Sequence, residues 1–141
     1  MPPALQTHAL SKNYGAVRAV DGLSLCVDPG EIYAFLGLNG AGKTTTIRML
    51  LGMIRPTTGH AEVLGKEIRP GQGPWADVGY LSEEPRAYPG LTVRENLEIF
   101  RRLRPGLAPA AIGRAIDRFG LVPFADRRAS ALSHGNRQRL G

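Results

Sequence analysis

The sequence holds very little cysteine, and this shortage excludes whole classes of protein. Its 141 residues include a single cysteine, Cys26. Neither an intrachain disulfide framework nor a zinc cluster built on cysteines can therefore form. Because Cys26 alternates with Leu25 and Val27 in a strand-like run, we expect a buried or half-buried thiol. The length suits one domain-sized core.

Long apolar runs are also missing. The longest uncharged run, residues 32–42, has eleven residues, whereas a membrane-spanning helix needs about 20. The first residues, MPPALQTH, lack the basic and apolar regions of a signal peptide. We therefore expect no membrane span in this chain and a location in the reducing cytoplasm.

Acidic residues are scarce in the last third of the chain. Residues 1–93 carry eight basic and eight acidic groups, whereas residues 94–141 carry ten arginines against four carboxylates. The whole net charge of +6 thus lies in the second segment. Such a segment can bind nucleic acid or an anionic membrane surface. Because arginine makes up 15 of the 18 basic residues in a chain rich in Gly, Ala and Pro, compositional bias explains the charge better, and we do not expect nucleic-acid binding.

What the chain does contain is the motif G-x-x-x-x-G-K-[ST]. Residues 37–44 read G-L-N-G-A-G-K-T and fit it at every specified position. The apolar run at residues 32–36 precedes the motif and predicts a buried strand. Behind the motif, an apolar stripe at the spacing of one helix face consists of Ile47, Leu50, Leu51 and Ile54.

Strand, glycine loop and helix together form a phosphate-binding arrangement. The glycines let the backbone curl until consecutive N–H groups point into one concavity at the positive end of the helix. Lys43 adds a full charge for the β- and γ-phosphates of a nucleotide, and the Thr44 hydroxyl is placed to bind Mg²⁺. The predicted nucleotide-binding residues are Asn39, Gly40, Ala41, Gly42, Lys43, Thr44 and Thr45.

Strand patterns dominate the first part of the chain. Short apolar or alternating runs at residues 5–10, 17–20 and 23–27 predict an antiparallel β-region. Residues 60–64 predict another strand, and residues 78–81 predict a further strand of the buried type.

Helical patterns dominate the rest. Thr92 and Glu95 have the spacing of a capping box, and Ser133 is placed to begin a last helix. The first of these helices carries an apolar face of Leu97, Phe100 and Leu103. The next is defined by Ile112, Ala115, Ile116 and Phe119, with Gly120 placed to end it. We predict an ATP-binding core over residues 1–88 and a helical subdomain over residues 89–141.

The order of these motifs along the chain resembles that in the ATP-binding subunit of an ABC transporter. The resemblance covers essentially the whole chain. Tyr14 lies 29 residues before Lys43, where the family places the aromatic ring that stacks on adenine. Residues 132–136 resemble the family's signature motif. By this resemblance Ser133 and Gly135 would contact the γ-phosphate that is held by the other subunit of a dimer. His134 stands where glycine is commoner in the family.

Residues 79–84 resemble the family's Q-loop, and Glu83 stands at the position of the usual Mg²⁺-binding glutamine. Together with the Y-P and T-V pairs at residues 88–89 and 92–93, this variant resembles the ABC-2-type exporter branch. A carboxylate can also bind Mg²⁺. A rival interpretation makes residues 78–84 a Walker B strand with Glu83 or Glu84 as catalytic base. Gly79 interrupts the apolar run and no aspartate ends it, which disfavours that interpretation.

The resemblance implies an α/β fold of the P-loop NTPase, ABC ATPase type. It implies an antiparallel β-region, an incomplete parallel-sheet core and a helical subdomain. It also implies ATP and Mg²⁺ as cofactors and a transmembrane permease subunit as partner. The resemblance implies that a second subunit, either another copy of this chain in a homodimer or another ABC ATPase, faces the ATP site. It also implies that the chain is peripheral on the inner face of the cell membrane.

A family member would continue beyond Gly141 with a Walker B aspartate, a catalytic glutamate and a switch histidine. None of the three histidines, His8, His60 and His134, stands at the switch position. We therefore expect an N-terminal portion of an exporter's energy-coupling subunit, which binds ATP without hydrolysing it alone. Two alternatives stay open: a non-transport ABC protein that acts on nucleic acid or the ribosome, and a catalytically silent partner of a full-length ABC ATPase.

Overall fold

The computed structural model describes residues 1–81, 86–104 and 106–141. The described residues fall into two compact units, Met1–Val78 and Gly79–Gly141. The first is built on a β-sheet and the second on helices. The division predicted from the sequence, at residues 88 and 89, stays a prediction.

The first unit is an antiparallel sheet of four strands in the order β2-β1-β3-β4. The strands are β1 (Leu5–Tyr14), β2 (Val17–Val27), β3 (Thr58–Val63) and β4 (Lys66–Glu67). The predicted runs at residues 17–20 and 23–27 merge into the single strand β2, and the predicted strand at residues 60–64 is confirmed as β3. The antiparallel β-region is therefore confirmed.

One helix, α1 (Lys43–Leu50), packs on this sheet. The core it forms with the strands contains Leu10, Val20, Met49 and Ala61. Thr46 and Met49 are the buried residues of the helix, whereas Ile47 is exposed. The predicted apolar face was therefore wrong at Ile47. Only one side of α1 meets the described sheet, and that side carries Thr46 and Met49.

The two strands predicted at residues 32–36 and 78–81 are not strands in the structure. Ile32 and Leu36 are exposed. A strand exists only where a neighbour accepts and donates its backbone hydrogen bonds, and no segment within the described ranges pairs with these two runs. Apolar composition alone was therefore not enough to form a strand here.

Cys26 is exposed, so the prediction of a buried or half-buried thiol was also wrong. It lies on β2 directly opposite Gln6 of β1. Directly opposed residues share a face of the sheet, and Thr7, the next residue of β1, is the buried one. The alternating pattern correctly predicted a strand at Cys26, but it did not show which face of the sheet is covered.

The second unit contains α2 (Val93–Arg102), α3 (Ala110–Arg118) and α4 (His134–Leu140), with short 3₁₀ turns at Val122–Phe124 and Ala129–Ala131. The predicted capping box is confirmed: Glu95 N–H donates to Thr92 Oγ1 at 3.2 Å, and Thr92 N–H donates to Glu95 Oε2 at 2.7 Å. These bonds from Thr92 lower the pKa of Glu95. The buried core of this unit consists of Val93, Ile116, Leu121, Ala125, Ala129, Leu132 and Leu140.

A buried amide, Asn96, holds the loop in front of α2. Its side chain is 0% exposed. The Oδ1 atom accepts from Tyr88 N–H at 2.7 Å. The Nδ2 group donates to the carbonyls of Tyr88, Leu91 and Thr92 at 3.1, 3.2 and 2.9 Å. The predicted apolar face of this helix omitted Asn96, and its outer members Phe100 and Leu103 are exposed.

Glu98 makes the stability of the helical unit depend on pH. Hydrogen bonds from Arg101 first, and then from Arg102, lower the pKa of Glu98 from 4.5 to about 2. A carboxyl group with a lowered pKa stabilises the fold above its unfolded pKa and loses that contribution as the pH falls.

We expect the thermal unfolding midpoint to decrease between pH 4.5 and pH 2, and the Glu98→Gln variant to show a smaller decrease. Asp117→Asn is the matched control, since Asp117 is exposed and has no ion pair among the described residues. An equal change in the pH dependence of the midpoint in both variants would contradict its assignment to Glu98.

Candidate nucleotide-binding site

The loop at residues 37–42 is shaped by glycines in the left-handed region. Gly40 and Gly42 have φ angles of 84° and 85°, which side-chain-bearing residues rarely adopt. At Gly42 there is a second constraint, because a Cβ atom there would collide with the carbonyl oxygen of Ala19 on β2. The loop can therefore approach the sheet only with glycine at this position.

Helix α1 begins directly behind this loop, with Gly42 as its N-cap. No side chain caps it, and its first turn contains no acidic residue. Its N-terminal N–H groups are therefore not used by a capping side chain, and they lie at the positive end of the helix dipole. The first helical bond runs from Thr46 N–H to Gly42 O at 2.8 Å.

These residues enclose a concavity of about 210 Å³. It is lined by Ala19, Asn39, Gly40, Gly42, Lys43, Thr44 and Thr45. Six of the seven predicted loop residues are therefore brought together, and Ala41 is not part of the lining. Ala19 is not among the predicted residues, because nothing in its local sequence pattern connects a residue of β2 with the glycine loop.

The Lys43 ammonium group lies over the loop. It donates to the carbonyls of Gly37 and Leu38, at 2.5 and 2.8 Å. Within the described ranges, no carboxylate lies within ion-pair distance of Lys43. Its positive charge therefore adds to that of the helix N-terminus. Uncapped amides and an unneutralised ammonium group suit an anion such as a phosphate chain.

Tyr14 lies at the end of β1 with half of its surface exposed. The Lys12 ammonium group lies 5.2 Å from the centre of its ring and also donates to the carbonyl of Arg55 at 2.7 Å. Tyr14 is not among the residues that line the concavity. Its predicted contact with adenine stays a prediction.

The signature-like residues lie in the helical unit. Ser133 is the N-cap of α4, and its Oγ accepts from Asn136 N–H at 3.3 Å. A Cβ atom at Gly135 would meet open space, so none of the described residues of this unit requires a glycine there. Glu83, the predicted Mg²⁺ ligand, lies outside the described residues, and so does Glu84, the alternative base.

Comparison with known proteins decides the family. The sequence model of the ABC transporter family matches residues 20–141, which is most of the chain. This chain belongs to the ABC transporter family. The match covers the glycine loop, α1 and the signature-like segment, and the resemblance inferred from the motifs is confirmed.

The relatives of this ABC transporter chain are ATP-binding proteins. It is 40% identical over 142 residues to the bacitracin transport ATP-binding protein BcrA of Bacillus licheniformis, covering 100% of this chain and 46% of the relative. It is 43% identical to the Nod factor export ATP-binding protein I of Ralstonia nicotianae, covering 98% of this chain and 44% of the relative. The chain thus spans less than half the length of these relatives.

Solved structures agree on the fold. An ATP-binding subunit of an ABC transporter superposes with a TM-score of 0.81 at 30% identity, covering 97% of this chain and 59% of that one. A dimeric ATP-binding cassette bound to ADP and phosphate also gives 0.81, at 20% identity, covering 96% and 66%. The predicted P-loop α/β fold of the ABC ATPase type is confirmed. None of the helices in the described ranges has the length and apolar character needed to cross a membrane.

Proposed function

We propose that this chain binds ATP together with Mg²⁺ at the loop of residues 37–45, as the energy-coupling part of an ABC exporter. The observation that carries the proposal is the site in front of α1. There a glycine loop, an uncapped helix N-terminus and the unneutralised Lys43 surround one concavity. The family assignment and the fold support it independently of that geometry.

Each residue of the site has a role in the proposal. Backbone amides of residues 39–45 hold the phosphate chain, and Lys43 binds the β- and γ-phosphates. The Thr44 hydroxyl would hold Mg²⁺, which would neutralise part of the charge of the phosphates; Glu83 as a further ligand stays a prediction. The exposed ring of Tyr14 offers an apolar face to adenine.

We place the signature element of this chain across a dimer. The uncrowded Gly135 and the Ser133 hydroxyl would approach the γ-phosphate on the partner, which is a second copy of this chain or another ABC ATPase subunit. One solved structure of this fold is dimeric, which supports this part of the proposal. A transmembrane permease subunit completes the transporter, with this chain on the inner face of the membrane. Export is favoured because the relatives include a Nod factor export protein.

Binding without turnover is the second part of the proposal. Among the described residues no carboxylate lines the concavity, so none is placed there to activate water. Hydrolysis by a P-loop enzyme needs a water molecule that is positioned for attack on the γ-phosphate. We therefore expect these 141 residues to bind Mg-ATP and to release no phosphate at the rate of a complete ATPase.

The test separates binding from hydrolysis. ATP affinity is measured by calorimetry with and without Mg²⁺, and phosphate release is followed in the same samples. We expect saturable binding that Mg²⁺ strengthens, and no phosphate release above buffer. Turnover at the rate of a complete ATPase would contradict the second part, and absence of binding by the folded chain would contradict the first.

The Thr44→Ala variant tests the metal contact. Removing the hydroxyl should abolish the strengthening by Mg²⁺ while the affinity for ATP without Mg²⁺ changes less than about twofold, since the backbone amides and Lys43 stay in place. Thr57→Ala is the matched control, because Thr57 belongs to the same unit and does not line the concavity. If Thr44→Ala keeps the full effect of Mg²⁺, the assignment of Thr44 is wrong.

The nucleic-acid alternative has little support from the helical unit. Arg94 pairs with Asp126, and Arg101 and Arg102 pair with Glu98, so part of the arginine charge is neutralised locally. Nucleic-acid binding would weaken steeply with salt. A flat salt dependence together with co-purification of a permease would favour the transporter.

A further inference from the structure

We propose that His8, His60 and Glu62 form a binding site for a zinc-class divalent transition-metal ion on the outer face of the antiparallel sheet. One ligand atom from each of these three side chains lies within 4.8 Å of the other two. None of them lines the concavity at the glycine loop. The proposal therefore does not depend on the proposed nucleotide site.

The register of the sheet brings the three side chains together. His8 of β1 is directly opposite His60 of β3, and Gln6 is directly opposite Glu62. Directly opposed residues share a face of the sheet, and so do residues two apart on one strand. His8, His60 and Glu62 therefore point to one face, while Thr7 and its partner Ala61 are buried on the other.

The backbone beside the pair of histidines is closely packed. Gly59 has a φ angle of 75°, and a Cβ atom there would collide with the carbonyl oxygens of His8 and Ala9. The absence of a side chain lets β3 approach β1 directly next to His60. The two imidazole rings stack, with centroids 4.4 Å apart and an interplanar angle of 17°. Sheet pairing, rather than a flexible loop, thus fixes two nitrogen ligands side by side.

The carboxylate completes the geometry. Glu62 Oε1 lies 3.8 Å from His8 Nε2 and 3.7 Å from His60 Nε2. Both distances exceed a hydrogen bond. Two ligands of a tetrahedral zinc ion are about 3.4 Å apart, since each bond is about 2.1 Å long. To bind one ion, the two imidazole rings must rotate out of their stacked arrangement, because the lone pair of each ring nitrogen lies in the plane of its own ring.

The donor set selects the class of ion. Two imidazole nitrogens and one carboxylate oxygen are ligands that zinc takes in proteins, and three protein ligands leave a fourth position for water. Mg²⁺ prefers oxygen ligands, so the metal that serves a nucleotide would not compete here. Glu67 lies directly opposite Glu62 on β4 but pairs with Arg69 at 3.2 Å, so Glu62 supplies the negative charge of the site. All three side chains are partly exposed, so an ion can enter from solvent.

Metal titration of the full chain tests the proposal. The protein is stripped with a chelator, and Zn²⁺ is titrated in competition with a chromogenic chelator. Co²⁺ is then used as a probe, because its visible absorption reports tetrahedral coordination. We expect one equivalent of Zn²⁺ to bind and the Co²⁺ spectrum to be tetrahedral. His8→Ala, His60→Ala and Glu62→Gln should each weaken Zn²⁺ binding at least about tenfold.

Two matched variants control for adventitious binding. His134→Ala removes the remaining histidine, which lies in the other unit, and Cys26→Ser removes the exposed thiol on the same sheet. Both should keep the affinity of the original chain. A loss of affinity in either control as large as in His8→Ala, or unchanged affinity in His8→Ala and His60→Ala, would overturn the site.

The NMR signals of the imidazole rings test the proposal on the original chain, without any substitution. Zn²⁺ should shift the ring signals of two of the three histidines, and the nuclear Overhauser effect between those two rings should identify them as the stacked pair. Shifts confined to one ring, or no saturable shift at all, would equally refute the proposal.

Discussion

The Lys43→Ala variant should bind Mg-ATP at least about a hundredfold more weakly than the original chain, a loss of about 2.7 kcal/mol. Lys43 is half-buried, lies over the loop and has no carboxylate partner within the described ranges. Its full charge is therefore available to the phosphate chain at short range, where each opposite charge contributes several kcal/mol. The affinity is measured by calorimetry or by displacement of a fluorescent ATP analogue.

Lys66→Ala is the matched control for Lys43. Lys66 is an exposed lysine on β4, in the same unit, and it does not line the concavity. Its replacement changes the net charge by the same amount as Lys43→Ala does, so any general electrostatic effect on ATP binding would be seen in both variants. If Lys43→Ala bound Mg-ATP as tightly as Lys66→Ala, the loop would not be the nucleotide site.

The Asn96→Ala variant should lose about 3 kcal/mol of unfolding free energy in the helical unit. The substitution removes four hydrogen bonds at once. It leaves the Tyr88 amide without its acceptor next to a fully buried position, where an unpaired polar group is costly. Urea unfolding followed by circular dichroism measures the loss, and hydrogen exchange at the Tyr88 amide should accelerate in parallel.

Asn136→Ala serves as the control for Asn96. Asn136 is a partly exposed asparagine in the same unit, and its side chain makes no hydrogen bond with the described residues. Its replacement should change the unfolding free energy by less than about 0.5 kcal/mol. Equal effects of the two substitutions would mean that the Asn96 network contributes nothing beyond an ordinary surface amide.

Local signals predicted the parts of the site and fold that depend on residues close together in the chain. The capping box of Thr92 and Glu95 formed as its spacing indicated, and Ser133 began α4. The glycine motif placed Lys43 and an uncapped helix N-terminus at one concavity. In each case the contacts span a few residues, so the backbone has little choice in how it satisfies them.

Predictions failed where a distant partner was required. The apolar run at residues 32–36 did not become a strand, and Ile47 and Cys26 were exposed instead of covered. Asn96 was missed, although a polar residue between Val93 and Leu97, on the inner face of α2, was a usable signal. The sequence shows that a segment has an apolar side, but not which other segment covers it.

The amino-acid sequence by itself determined the family of this protein and the chemistry of its loop, because a phosphate cradle is built from a few consecutive amides and one lysine. Only the tertiary structure placed Ala19 beside Gly42 and bonded Asn96 to the loop before α2. It also brought His8, His60 and Glu62 together on one face of the sheet. The contacts of Ala19 and of His8 join residues that are far apart in the chain, and the Asn96 side chain bonds to a loop that begins eight residues before it. Their positions follow from strand register and packing, which no short stretch of sequence encodes.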